Sequence, residues 1–191
     1  MKFGMRRFIN FDYALFLCML TLPTIGVLFI YSSSVNFQGV LTKKEYIKQL
    51  VWFLSGIVLF FLILFFYDYK KLKDSSPFIY AFGIFLLIIT RLFGLPSRGS
   101  YSWLGIQNWF GIQPSEFMKI MYTIFLAYFL EKSKNMPSLK RFLIAILIML
   151  LPIALILAQP DLGTASVYIP MFLIMCFIAG IDLKYILFFL T

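Results

Sequence analysis

The sequence predicts an all-α fold, a polytopic transmembrane helix bundle, on three observations. Of 191 residues, 62% are hydrophobic and only 13% charged, against roughly a quarter charged in ordinary soluble domains. The apolar residues come in runs of about 20, the length that crosses ~30 Å of hydrocarbon at 1.5 Å per residue. The 17 lysines and arginines, against 8 acids, fall in short clusters between these runs. That distribution suits short loops at a membrane face and argues against nucleic acid as a partner, which would need a continuous basic stripe.

Six complete spans and the start of a seventh are expected, in a single integral-membrane domain over residues 1–191. The first covers about 11–31. Lys2, Arg6 and Arg7 precede it, but the run is as long as a span and no small-x-small cleavage site follows, so it reads as a retained anchor. The second covers about 46–67 and the third about 77–93. The fourth, about 113–129, opens on Pro114, which suits a first helical position because its missing N–H would be unpaired there. The fifth covers about 142–158 and the sixth about 164–179. The seventh runs from 185 to Thr191, barely two turns. A half-crossed helix leaves its last carbonyls unsatisfied in lipid, so the chain is expected to be a fragment incomplete at its C-terminus, or the product of an interrupted reading frame.

Orientation follows from Lys and Arg alone. With the N-terminus inside, the cytoplasmic pieces hold Lys2, Arg6, Arg7, Lys70, Lys71, Lys73, Lys132, Lys134, Lys140, Arg141 and Lys184. The outer pieces hold Lys43, Lys44, Lys48, Arg91 and Arg98, and Lys119 lies within a span. Eleven against five is a positive-inside bias, so the N-terminus is expected in the cytoplasm. Tyr13, Tyr31, Tyr46, Trp52, Tyr67 and Tyr69 sit near span ends, where amphipathic rings settle at headgroup depth. The two cysteines, Cys18 and Cys176, lie inside apolar runs as small hydrophobes, with no disulfide or metal spacing. There is no histidine. A general base must therefore be a carboxylate or lysine, histidine-based zinc sites are excluded, and no metal ligands are assigned.

Residues 94–112, GLPSRGSYSWLGIQNWFGI, form the longest stretch without a span pattern, and they face outward in this topology. The glycines permit tight turns at the membrane surface. Arg98 suits a diphosphate, and Trp103 or Trp109 a sugar ring; the competing reading makes both tryptophans interfacial anchors. Directly after comes Gln113-Pro114-Ser115-Glu116-Phe117-Met118-Lys119. Glu116 and Lys119 are three apart and can meet on one helix face, a pair worth only ~0.2–0.5 kcal/mol. Placing an ionisable group mid-span costs roughly 2.5–3.5 kcal/mol, so a polar cavity or a further partner is needed. Asp161, in Gln159-Pro160-Asp161-Leu162-Gly163-Thr164 between the fifth and sixth spans, is the candidate. Pro160 and Gly163 break the helix at that depth, where freed backbone must line a cavity or pack in protein. Glu116, Lys119 and Asp161 would converge near the outer face, as a functional network or as a salt-bridge staple between helices. Asp12, Asp68, Asp74, Glu131 and Asp182 read as solvated span ends and loops.

The run Trp103-Leu104-Gly105-Ile106, then QPSE-x-x-K at 113–119 and QPDLGT at 159–164, resembles the SEDS family (shape, elongation, division and sporulation) of peptidoglycan polymerases. The likeness extends to Ile30-Tyr31-Ser32-Ser33-Ser34, to Lys48-Gln49-Leu50-Val51-Trp52 and to Tyr67-Asp68-Tyr69. The last looks more like the elongation branch than the division branch. The resemblance implies a ten-span protein of the bacterial cytoplasmic membrane that polymerises lipid II into glycan strands for cell elongation and rod shape. It implies a class B penicillin-binding protein transpeptidase and the elongation machinery as partners. The family's essential aspartate lies in a large outer loop after the seventh span, beyond this chain. No catalytic residue is therefore assigned here, and the chain alone is expected to be inactive. Glu116, Lys119 and Asp161 are then the supporting polar network, and Arg98, Trp103, Gln113, Ser115 and Gln159 the substrate-binding set. Cofactor use stays open, a divalent cation included. One departure stands out: Ser102 occupies the place before the loop tryptophan where the family usually carries a basic residue. The alternatives are a lipid-linked precursor flippase, which would need a polar path open to both sides, and a non-catalytic scaffold for the penicillin-binding protein.

Overall fold

The computed structural model describes residues 11–35, 45–66, 70–97, 99–106 and 110–190. The helices gather into two compact units, Met1–Asp68 and Tyr69–Thr191.

The first unit is a pair of long helices, α1 (Tyr13–Ser33) and α2 (Glu45–Phe66). Asp12 caps α1, its Oδ1 accepting from Leu15 N at 2.9 Å, which satisfies one of the unpaired N–H groups of the first turn. Aromatic rings join the pair: Phe16 stacks on Phe60 at 5.4 Å, and Tyr31 meets Tyr46 edge-on at 5.2 Å. No residue of α1 is buried, as suits a surface for which lipid is as good a solvent as protein.

The second unit holds α3 (Lys70–Phe93), strands β1 (Leu95–Ser97), β2 (Ser100–Ile106) and β3 (Phe110–Ile112), then α4 (Pro114–Lys132), α5 (Ser138–Leu157), α6 (Leu162–Ser166), α7 (Tyr168–Ile178) and α8 (Leu183–Leu190). Its core is written in fours. Met118, Tyr122, Leu126 and Leu130 line one face of α4, and Tyr168, Phe172 and Cys176 one face of α7. Residues four apart on a helix share a face. Phe142, Ala145, Met149 and Ile156 of α5 join the same cluster, as do Tyr80 and Leu87 of α3.

Prolines inside these helices cost less than they would alone, because hydroxyls take the carbonyls they orphan. Pro77 cannot donate to Lys73 O, and Ser76 Oγ donates to it instead at 2.8 Å. Pro152 cannot donate to Ile148 O, and Tyr80 Oη reaches across from α3 to do so at 2.7 Å. The third helix accordingly begins at Lys70, seven residues before the expected start at Pro77.

Among the described residues, four helices are long and apolar enough to cross a membrane: Tyr13–Ser33, Glu45–Phe65, Lys71–Phe93 and Ser138–Leu157. The expected sixth span is shorter and broken, with α6 and α7 meeting at Val167; Pro170 has no N–H for Ser166 O. The fourth, α4, has the length but carries Glu116, Lys119, Glu131 and Lys132.

The all-α expectation needs one correction. Within 94–112 the described residues Leu95–Ser97, Ser100–Ile106 and Phe110–Ile112 are strands of a three-stranded antiparallel sheet in the order β1-β2-β3. Leu95 pairs with Trp103, and Leu104, Gly105 and Ile106 pair with Ile112, Gly111 and Phe110. The Ser-Tyr-Ser-Trp alternation, which places Ser102 inward at 0% exposure and Trp103 outward at 37%, is a period-two strand signal hidden among glycines. Gly94 makes the entry possible: a Cβ there would collide with the carbonyl oxygens of Thr90 and Tyr101.

Candidate functional site

The sheet and the two proline-containing motifs meet at one end of the second unit. There they form an open cavity of about 580 Å³ lined by Ser100, Trp103, Gln113, Pro160, Asp161, Leu162 and Gly163.

Asp161 is the best-held group in it. It is the N-cap of α6, its Oδ1 accepting from Thr164 N at 3.1 Å. Its Oδ2 accepts from Thr164 Oγ1 at 2.9 Å and from Gln113 Nε2 at 2.8 Å. Gln113 is itself the N-cap residue of α4, but its side chain makes no cap bond there; it is spent on Asp161. The two motifs, 48 residues apart, are thus tied by one amide–carboxylate bond. A carboxylate offers about four acceptor sites, so one remains for a ligand hydroxyl or amide.

Lys119 and Glu116 form the expected pair, Nζ lying 2.8 Å from both carboxylate oxygens. Lys119 is the more sheltered, with its side chain 21% exposed against 53% for Glu116. The three-way convergence with Asp161 resolves into two adjacent sets. Among the described residues Lys119 bonds Glu116, while Asp161 bonds Gln113 and Thr164. The first turn of α4 links them, with Glu116 N donating to Gln113 O at 3.1 Å.

The substrate-binding set divides. Trp103 and Gln113 line the cavity. The ring of Trp103 lies over Gly111, where a Cβ would come within 3.1 Å of Cε3. Ser115 and Gln159 are fully buried and do not line it. Gln159 is instead a staple. Its Nε2 donates to Leu87 O of α3 at 3.0 Å, and its backbone carbonyl accepts from Tyr101 N at 3.4 Å and Ser102 Oγ at 3.5 Å. That contact also accounts for Ser102: a serine fits against the Gln159 carbonyl at a position with no exposure. Arg98, Trp109 and the Tyr67-Asp68-Tyr69 run lie outside the described residues. Among those described, no three His, Cys, Asp or Glu side chains gather where they could hold a metal ion.

Two structural features were not anticipated. Thr164 belongs to the site through both its amide and its hydroxyl, and its place three residues after Asp161 is a capping signal. Arg141 is not a loop cation but 6% exposed, with its guanidinium turned into the unit.

A family model described as cell cycle protein, covering FtsW, RodA and SpoVE, matches residues 12–191. The chain belongs to that family. It is 55% identical over 177 residues to the peptidoglycan glycosyltransferase RodA of Treponema pallidum, covering 93% of this chain and 40% of the relative. It is 34% identical to stage V sporulation protein E of Bacillus subtilis, covering 93% of this chain and 50% of the relative. The chain therefore spans about half the length of the curated relatives it matches. In fold it is similar to the crystal structure of the rod shape determining protein RodA of Thermus thermophilus, with a TM-score of 0.80 at 22% identity over 93% of this chain and 56% of that one. A chain from a peptidoglycan synthase complex, studied for its coordination of polymerization and crosslinking, gives a TM-score of 0.77 at 22% identity, covering 95% of this chain and 51% of that one.

Proposed function

We propose that the protein carrying this chain is a peptidoglycan glycosyltransferase of cell elongation. It polymerises lipid II at the outer face of the bacterial cytoplasmic membrane. The observation that carries the reading is the cavity in which Gln113 of one motif holds Asp161 of the other beside Trp103. The relative at 55% identity, named for that activity, supports it, and its kinship favours elongation over division.

In this reading the chain supplies six spans and the start of a seventh of a ten-span protein, with its N-terminus in the cytoplasm. An acceptor sugar hydroxyl attacks the anomeric carbon of a second lipid-linked sugar, and undecaprenyl diphosphate leaves. The essential aspartate of the family acts from the loop after the seventh span. The residues here orient and shelter: Trp103 offers a ring face to a sugar, and the Gln113–Asp161 pair sets the floor of the cavity. Lys119, held by Glu116, places a positive charge on the same helix six residues after Gln113. The likeness in fold to a chain of a peptidoglycan synthase complex supports a class B penicillin-binding protein transpeptidase as partner.

The test is glycan synthesis from lipid II in proteoliposomes by the full-length protein with its transpeptidase. Moenomycin-resistant strands support the polymerase. Movement of lipid II across the bilayer without strands makes the protein a flippase, and neither activity leaves a scaffold.

A further inference from the structure

The opposite end of the second unit carries another cavity, about 370 Å³, between the last turns of α4 and α7 and the first turn of α5. Ala127, Leu130, Met175 and Ile178 form an apolar wall, and Arg141 and Lys134 stand in it. The guanidinium of Arg141 donates through Nε to Ser133 Oγ at 3.2 Å, through one terminal nitrogen to Ala179 O at 3.0 Å, and through the other to Leu130 O. Three of its five N–H groups are used. Arg141 is 6% exposed, yet among the described residues no carboxylate lies within ion-pair distance of it. Glu131, which also lines the cavity, is taken by Lys73 at 2.8 Å. The carbonyl ends of α4 and α7 supply only partial negative charge. A buried cation that lines a cavity and has two N–H groups beyond those three bonds is matched to an oxyanion.

We propose that this cavity binds an anionic phospholipid, with its phosphate on Arg141 and Lys134 and an acyl chain along Met175 and Ile178. A lipid is favoured over a soluble phosphate because the apolar wall runs out onto membrane-compatible surface: Ile178 is 76% and Phe177 65% exposed. Basic pockets between membrane helices hold anionic headgroups by this chemistry. Only the leaflet, cytoplasmic, rests on the orientation proposed above; the site itself does not.

Native mass spectrometry of the full-length protein in detergent tests it, titrated with phosphatidylglycerol, phosphatidylcholine or glycerol 3-phosphate. The expected result is about fivefold stronger retention of phosphatidylglycerol than of phosphatidylcholine, which Lys134→Ala reduces by about fivefold, the effect of one basic residue at an anionic headgroup. Ala127→Leu, which fills the cavity from an exposed helix position while leaving every charge in place, abolishes the preference. Equal retention of both lipids overturns the proposal, as does a preference that survives both variants. Displacement by equimolar glycerol 3-phosphate also overturns it and assigns the site to a soluble anion. Lipid retention with no glycan synthesis overturns the polymerase reading instead.

Discussion

Among the described residues, the hydroxyl of Tyr80 is the one replacement for the hydrogen bond removed by Pro152. Tyr80 is 8% exposed and donates to Ile148 O at 2.7 Å, the carbonyl that residue 152 would serve if it carried an N–H. Tyr80→Phe keeps the ring and its stacking on Phe125 at 4.6 Å, so the change isolates the hydroxyl. A net intramolecular hydrogen bond is worth about 0.5–1.5 kcal/mol, and leaving a buried acceptor unsatisfied costs about 1–3 kcal/mol. Interhelical bonds in membrane proteins average ~0.6 kcal/mol, with a maximum near 1.7. The expected cost of Tyr80→Phe is therefore about 1–1.5 kcal/mol. In a Pro152→Ala background the new N–H serves Ile148 O, and the cost of Tyr80→Phe should fall below about 0.5 kcal/mol, a coupling of about 1 kcal/mol. Reversible unfolding of the four proteins in mixed micelles measures all sides of the cycle. An equal cost in both backgrounds refutes the compensation.

In the full-length protein, Lys119→Ala should abolish glycan synthesis while membrane insertion, followed by fractionation, stays normal. Gln113→Leu removes a hydrogen bond to a charged group, worth about 1.5–3 kcal/mol; polymerisation should fall at least about tenfold, whereas Gln113→Glu, which sets two carboxylates face to face, should be worse. Gly94→Ala forces a Cβ onto the Thr90 and Tyr101 carbonyls, an overpacking cost of about 1–3 kcal/mol, read as a lower unfolding midpoint.

The charged and proline-bearing motifs were legible because membrane energetics makes them conspicuous. Glu116, Lys119 and Asp161 stand out wherever ionisable groups are costly, and the structure keeps the first two as a pair. It was also legible that Pro114 would open a helix. The partners of Asp161 were not. Gln113 and Thr164 reach it because two helix starts are brought together across 48 residues, and no local pattern encodes that. Gln159 and Ser115 carried the same polar signal as Gln113, yet packing turned them inward to 0% exposure. Arg141 looked like any cation at a span end until three acceptors from α4, α7 and the turn after α4 closed around it.

What the amino-acid sequence determined by itself was everything that depends on single-residue transfer between water and hydrocarbon. That includes the apolar helices and the clustering of cations between apolar runs, but not every helix boundary: the third helix begins at Lys70 and the sixth span is interrupted at Val167. Tertiary structure alone decided which polar side chains face a cavity and which become staples. In a membrane, apolar contacts with lipid and with protein are nearly equivalent. The choice of partner therefore falls to a few buried hydrogen bonds whose donors and acceptors lie far apart in the chain.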